Sequence, residues 1–432
     1  ILYAGVRLVG KQGSNNFLEV VVAGDGRLPF RTALLRGLSS LTSIATGASI
    51  GREGAIVHLS AMLASKWGQL AKWQPYRLRL LVACGAASGL AAAYNAPIAG
   101  AVFAAQIVLG NFSMNLFAPL VFSSVIATML TRNFFGIHPL YVMPSYEFTR
   151  VTQLPWFLLL GILAGGLGVV FMRLLRLAQE EFRPFALPIY IRLAIGGALT
   201  GLIAIGYPQV WGNGYSVASD ILHDNFTGQV LIGIFLAKFL ATILSVGSGT
   251  VGGVFTPTLF LGAGLGALFG KILHEAGLGA HMPIGVFAMV GMGGMLSATT
   301  RSPLLAMIMI FEMSLNYSLM PALMIASVVS TLVARHFHPD SIYTEPLRRK
   351  GFDMESESAR AGAATEQTVG DLMRAPIPPV REIATLREIA DRFLTGANNF
   401  LPVVDEQNRL LGLVALHDLK EHLNAGHELD LI

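Results

Sequence analysis

Over residues 34–337 the chain is a succession of long apolar runs separated by very few charges. No charged residue occurs over positions 80–131, and over 229–300 the only charges are Lys238, Lys271 and Glu275. A helix crossing a bilayer needs ~20 apolar residues, so the first stretch alone holds more than one crossing. Glycine, proline and small polar residues break the runs at Thr46-Gly47-Ala48-Ser49, Asn95-Ala96-Pro97, Gly247-Ser248-Gly249 and Arg301-Ser302-Pro303. A helix interrupted in lipid leaves backbone groups unpaired, at several kcal/mol each, unless the break lies inside protein. The pattern predicts an all-α polytopic membrane protein with broken and re-entrant helices, about a dozen in all, around an interior site.

The pattern changes after Phe337. We read 1–339 as the membrane domain and 340–367 as a polar linker carrying Arg348, Arg349, Lys350, Glu355 and Glu357. Residues 368–432 read as a small α/β domain. Its expected strands are Pro402-Val403-Val404 and 410–416, joined by a turn at Asp405-Glu406-Gln407-Asn408. An amphipathic helix over 386–394 precedes them and another begins over 418–424.

Composition supports this division. Of 432 residues, 53% are hydrophobic and 13% charged, with a mean hydropathy of +0.60. Soluble proteins carry roughly 25% charged residues, so much of this surface meets something other than water. The net charge of +4 is too small and dispersed for nucleic-acid binding. The single cysteine, Cys84, excludes an internal disulfide and a cysteine-based zinc site. The chain opens on Ile1 with no signal-peptide pattern and reads as starting inside a longer protein, its first helices missing.

The breaks come in pairs. With Pro97 set on Pro303, Gly85 falls on Gly291, Leu90 on Leu296, Ala92 on Ala298 and Gln106 on Glu312, an offset of 206. With Gly51 set on Gly253, Gly47 falls on Gly249 and Ser43 on Ser245, an offset of 202. Matched broken helices in two halves mark an internally repeated transporter whose site lies at the repeat interface.

Gly51-Arg52-Glu53-Gly54-Ala55 is the strongest local signal. An acid deep in an apolar run is expensive and points to function. Glycines around it expose N–H groups at a helix start, where free donors and the positive dipole end bind anions. A carboxylate there can itself occupy the anion's place until a proton releases it. At the matching repeat position stands Gly252-Gly253-Val254-Phe255-Thr256-Pro257, a second glycine-loop-to-helix junction. The two junctions can converge on one anion.

On these strings, the Asn95-Ala96-Pro97 and Arg301-Ser302-Pro303 junctions and Tyr343, the chain resembles the CLC family of chloride channels and proton-coupled chloride exchangers. Within it, Trp211-Gly212-Asn213-Gly214-Tyr215 and Asp340-Ser341-Ile342-Tyr343 look most like the bacterial ClcB-type branch. The resemblance implies an inverted repeat and a homodimer in the cell's inner membrane with one chloride pathway per subunit. Glu53 would be the gating glutamate. Gly51, Arg52, Gly54, Gly253, Val254 and Phe255 would surround chloride, with the Tyr343 hydroxyl on the inner side.

Three departures qualify this picture. The family's central serine corresponds here to Gly13-Ser14-Asn15-Asn16-Phe17, where Ser14 takes the role with Asn15 as its rival; paired asparagines also resemble the fluoride-exporting branch. The family's internal proton-passing glutamate corresponds to Ile107, preceded by Gln106, and neither side chain titrates. That favours a passive channel, with proton exchange through the same site as the alternative. Only 52 residues precede Glu53, about half the family's usual number.

The remaining intramembrane charges read as structural: Glu312 as a cap or pair, Lys238 as snorkelling or paired. His58 reads as packed. The tail resembles a single CBS domain through Thr368-Val369-Gly370-Asp371-Leu372-Met373, Asn399-Phe400-Leu401-Pro402-Val403-Val404-Asp405 and Gly412-Leu413-Val414-Ala415-Leu416-His417-Asp418. The resemblance implies a cytoplasmic position, with Asp418 the residue for an adenosine nucleotide's ribose. Ala415 stands where a Ser or Thr is usual, which favours a structural or regulatory role. No cofactor, metal or enzymatic activity is expected. A path for divalent cations needs several carboxylates or carbonyls, and the apolar zone offers only isolated acids.

Overall fold

The apolar runs fold into helices. The computed structural model describes residues 17–22, 24–137, 139–142, 151–181, 188–278, 282–351, 377–395 and 399–418. Ser14, Asn15, residues 1–10 and 368–373, and all but Asp418 of the helix expected over 418–424 lie outside them. The chain divides into two units, Ile1–Ser358 and Ala359–Ile432. Among the described residues, six helical stretches are long and apolar enough to cross a membrane: Met114–Phe135, Val151–Glu181, Ile189–Gly206, Gly228–Gly247, Phe255–Glu275 and Tyr317–Phe337.

In chain order the first unit comprises α1 (Phe17–Val22), α2 (Phe30–Ala45), α3 (Glu53–Leu70), α4 (Pro75–Tyr94) and α5 (Pro97–Phe103), which continues as a π turn over Ala104–Val108. There follow α6 (Met114–Phe135), α7 (Leu154–Glu181), α8 (Ile189–Gly206), α9 (Tyr215–Leu222), α10 (Gly228–Gly247) and α11 (Phe255–Glu275). The unit closes with α12 (Ile284–Thr300), α13 (Pro303–Ser314), α14 (Met320–Phe337) and α15 (Thr344–Arg348). The apolar helices of Pro97–Val108, Ile284–Thr300 and Pro303–Ser314 are too short to span, as broken helices should be.

The two halves repeat. Tyr94 and Thr300, Pro97 and Pro303, and Met114 and Met320 are matching helix ends separated by 206 positions. Gly47 and Gly249 carry φ of +94° and +95°, and Asn95 and Arg301 carry φ of +56° and +60°. Such left-handed residues end a helix and turn the chain, and their recurrence means that the breaks share one geometry. Gly51 donates to the Gly253 carbonyl at 2.7 Å and Gly253 returns the bond to Gly51 at 3.0 Å. Equivalent residues that bond each other reciprocally lie on the axis relating the halves.

A second reciprocal contact reinforces that axis. Glu312, from α13, accepts from the Ile98 N–H at 3.0 Å and the Ala99 N–H at 2.7 Å. It thereby satisfies the free donors at the start of α5. Its repeat mate Gln106 is bonded to Ser302, at the start of α13. Lys238, fully buried on α10, does not snorkel and has no acidic partner among the described residues. It donates to the Val210 and Gly212 carbonyls at 3.0 and 2.9 Å and lies over the Phe260 ring.

The second unit has a three-stranded sheet in the order β1 (Val380–Arg381), β2 (Phe400–Val404), β3 (Leu410–Ala415), with β1 parallel and β3 antiparallel to β2. Between β2 and β3 the Asp405 carboxylate accepts from the Gln407 and Arg409 N–H groups, which fixes the expected turn. Helix α16 (Leu386–Thr395) adds Phe393 to a small core with Val380 and Leu401.

Candidate functional site

Glu53 is the first residue of α3 and is only 3% exposed. Its helix begins where the Gly51–Gly253 pair holds the two loops together, so the side chain reaches into the other half. Glu53 Oε1 accepts from the Thr256 N–H at 2.9 Å, and Oε2 accepts from Thr256 Oγ1 at 2.7 Å. Thr256 lies in the first turn of α11, where backbone donors have no partner within their own helix. The carboxylate thus sits at the positive end of the opposite half's helix.

The backbone leaves just enough room. A Cβ on Gly51 would overlap both carboxylate oxygens, and one on Gly253 would come within 2.7 Å of Oε1. Glycine at both positions is a steric condition for Glu53 lying there. With its own hydrogen committed to the carboxylate, Thr256 Oγ1 accepts from the buried Tyr94 hydroxyl at 2.9 Å. A chain of bonds therefore runs Tyr94 to Thr256 to Glu53, and the Tyr94 ring rests on Phe255 with centroids 5.3 Å apart.

A cavity of about 730 Å³ reaches this group. Glu53, Gly54, Gly253, Val254, Phe255 and Tyr343 line it. Tyr343 precedes α15, and its ring meets Phe103 edge to face at 5.7 Å. Its position is set by Ser341, whose hydroxyl accepts from the Tyr343 and Thr344 N–H groups, and by the Ile342 N–H, which donates to the Thr299 carbonyl. Arg36, Arg176, Arg192, Arg349 and Lys350 also line the cavity and make its wall basic. Gly51 stands behind the carboxylate, and Arg52 is exposed, outside the cavity wall.

Gln106 and the buried Ile107 lie on the π turn of the half-helix and do not line the cavity. Sequence reasoning missed Thr256 and Tyr94, the two hydroxyls that organise Glu53. Thr256 stood inside the glycine-loop string and Tyr94 beside a helix break, but only the packing of the two halves brings them to the acid. In the second unit, Asp418 Oδ2 accepts from the Ala415 N–H at 2.8 Å and so closes its own turn. Among the described residues, no group of three or more acidic, histidine or cysteine side chains is arranged to hold a metal ion.

Comparison with known proteins places this geometry. The family model described as voltage gated chloride channel matches residues 2–335, and the CBS domain model matches 369–425. A ClcB-like chloride channel protein of Ralstonia nicotianae is 43% identical over 357 residues, 82% of this chain and 83% of that protein. The voltage-gated ClC-type chloride channel ClcB of Escherichia coli O17:K52:H18 is 36% identical over 361 residues, 80% of this chain and 84% of that one. Among solved structures, a slow cyanobacterial Cl−/H+ antiporter superposes with a TM-score of 0.71 at 26% identity, covering 81% of this chain and 84% of the other. A CLC-type fluoride/proton antiporter shares the fold with a TM-score of 0.67 at 23% identity, covering 79% and 84%.

Proposed function

The chain belongs to the CLC family of chloride transport proteins, and on that premise we propose that it is a passive, proton-gated chloride pathway. It is a multi-pass membrane protein of the CLC type with a CBS domain, and not an enzyme. The reading rests on one observation: the Glu53 carboxylate takes two hydrogen bonds from Thr256 at the start of α11. An anion stripped of water needs such donors, so chloride and the carboxylate compete for one seat. Protonation removes the charge that holds Glu53 there and frees the seat. Chloride arrives through the basic cavity and passes the Tyr343 hydroxyl on the way. Gly54, Gly253, Val254 and Phe255 on the cavity wall surround the ion, with Gly51 behind the carboxylate.

Passive conduction is favoured because neither Gln106 nor Ile107 carries a titratable group and Gln106 is engaged with Ser302. A second reading, exchange of chloride for protons, is favoured by the cavity that reaches Glu53, since water there can deliver protons without a side-chain relay. The cyanobacterial neighbour described as an antiporter supports it. The protein works as a homodimer in the inner membrane with its CBS domain in the cytoplasm. That domain has a structural or regulatory role, since Asp418 is used within its own turn.

The test is paired chloride and proton flux from liposomes holding the protein. Passive conduction predicts chloride efflux with no protons driven against their gradient. Proton pumping by an imposed chloride gradient would overturn it in favour of exchange.

A further inference from the structure

Exposed cations gather where α2 begins, α3 ends and α4 begins. Arg27 precedes α2 and Arg31 lies in its first turn, Lys66 is near the end of α3, Lys72 is in the turn that follows, and Arg77 is in the first turn of α4. Hydrogen bonds tie these three helix ends into one face. Ser65 Oγ accepts from the Leu28 N–H at 2.9 Å and donates to the Gly26 carbonyl at 2.6 Å, and Arg79 Nε donates to the Gly24 carbonyl at 2.7 Å. Asp25 is the only acid in segments 24–31 and 65–79, and none of the five cations has an acidic partner among the described residues.

The helices themselves give little reason for these charges. Arg31 and Arg77 stand in first turns, where the positive end of the helix disfavours a cation. Lys72 has φ +55° and closes α3, with the Trp73 N–H donating to the Gly68 carbonyl at 3.0 Å. Glycine takes that left-handed position without strain. The carbonyl end of α3 favours one cation there, which leaves the others unexplained.

Trp67, Trp73 and Tyr76 stand among the cations, with Trp67 69% and Tyr76 61% exposed. Such rings concentrate where hydrocarbon gives way to headgroups. Exposed apolar rows lead away from the face: Leu63, Trp67 and Leu70 along one side of α3, and Leu34, Leu38 and Leu41 along one side of α2. Gly26 donates to the Val20 carbonyl of α1, whose Glu19 is bonded to Lys350. The face is therefore on the side where the chain leaves the membrane domain, and an excess of Lys and Arg marks the cytoplasmic side.

We propose that this face docks the headgroups of anionic phospholipids. Their phosphates accept from Arg27, Arg31, Lys66, Lys72 and Arg77, while Trp67, Trp73 and Tyr76 lie where the acyl chains begin. The adjoining apolar rows favour a lipid over a free phosphate, which has no tail to lay on them. The inference holds whichever ion passes Glu53.

The test uses the full chain in phosphatidylcholine vesicles that contain brominated phosphatidylglycerol or brominated phosphatidylcholine. Bromine quenches tryptophan on contact, so quenching reads which lipid occupies the face. Of the four tryptophans, Trp156→Phe/Trp211→Phe leaves Trp67 and Trp73 as reporters. Docking predicts a roughly tenfold preference for phosphatidylglycerol that shrinks with added salt. Adding Lys66→Gln/Lys72→Gly/Arg77→Gln lowers the preference to about threefold or less, and parental chloride efflux shows that this variant is folded. Lys66→Arg/Arg77→Lys keeps the charges and the preference. Equal quenching by the two lipids in the reporter protein overturns the proposal, as does a tenfold preference kept after neutralisation. A preference abolished by millimolar inorganic phosphate assigns the face to a soluble anion and overturns it too.

Discussion

Thr256→Val isolates the bond that keeps the acid in its seat. The substitution preserves shape and removes the hydroxyl that donates to Glu53 Oε2 at 2.7 Å. A hydrogen bond to a charged group contributes about 1.5–3 kcal/mol net. At 1.4 kcal/mol per tenfold, the seated carboxylate is weakened by roughly 10- to 150-fold relative to the displaced one. The Thr256 N–H still holds Oε1 at 2.9 Å, so the gate loosens and does not vanish. Tyr94 also loses its acceptor, but that cost falls on open and closed arrangements alike and leaves their ratio unchanged. Chloride efflux from liposomes at neutral pH should therefore rise by about tenfold or more, up to the open pathway's limit. Thr256→Ser keeps the hydroxyl and should match the parent. Parental flux in Thr256→Val, or equal gains in both variants, would refute the reasoning.

Other consequences follow from neighbouring contacts. Gly51→Ala places a methyl group on the carboxylate and should expel it, giving raised efflux that acid no longer stimulates; an acid-activated variant would contradict this. Tyr343→Ala removes the hydroxyl lining the cavity and should flatten relative anion permeabilities, which bi-ionic potentials in planar bilayers would read. Glu312→Ala leaves the Ile98 and Ala99 N–H groups without their acceptor and should destabilise the protein by about 3 kcal/mol or more, seen in unfolding in detergent. Glu312→Gln retains one acceptor oxygen and should lose less.

The helix breaks were legible because they are written in residue types with fixed backbone consequences. Gly47 and Gly249 share a left-handed φ near +95°, and the Asn95 and Arg301 breaks share another near +60°. The offsets of 202 and 206 that align these residues also align the helix ends. Glu312, read as a cap or a pair, caps α5. What sequence could not supply was the partner of each buried polar group. Thr256 reaches Glu53 across 203 positions, and no periodicity encodes such a contact. Lys238 is satisfied by two backbone carbonyls, which leave no trace in side-chain identity. Strand β1 spans two residues, too short for alternation to register.

Proteoliposome chloride efflux as a function of pH, compared between the parent and Glu53→Gln, bears most directly on the competition between carboxylate and chloride. The amide carries no charge at any pH, so efflux should be high and flat where the parent's rises with acidification. A variant whose efflux follows pH as the parent's does would show that another group governs the pathway.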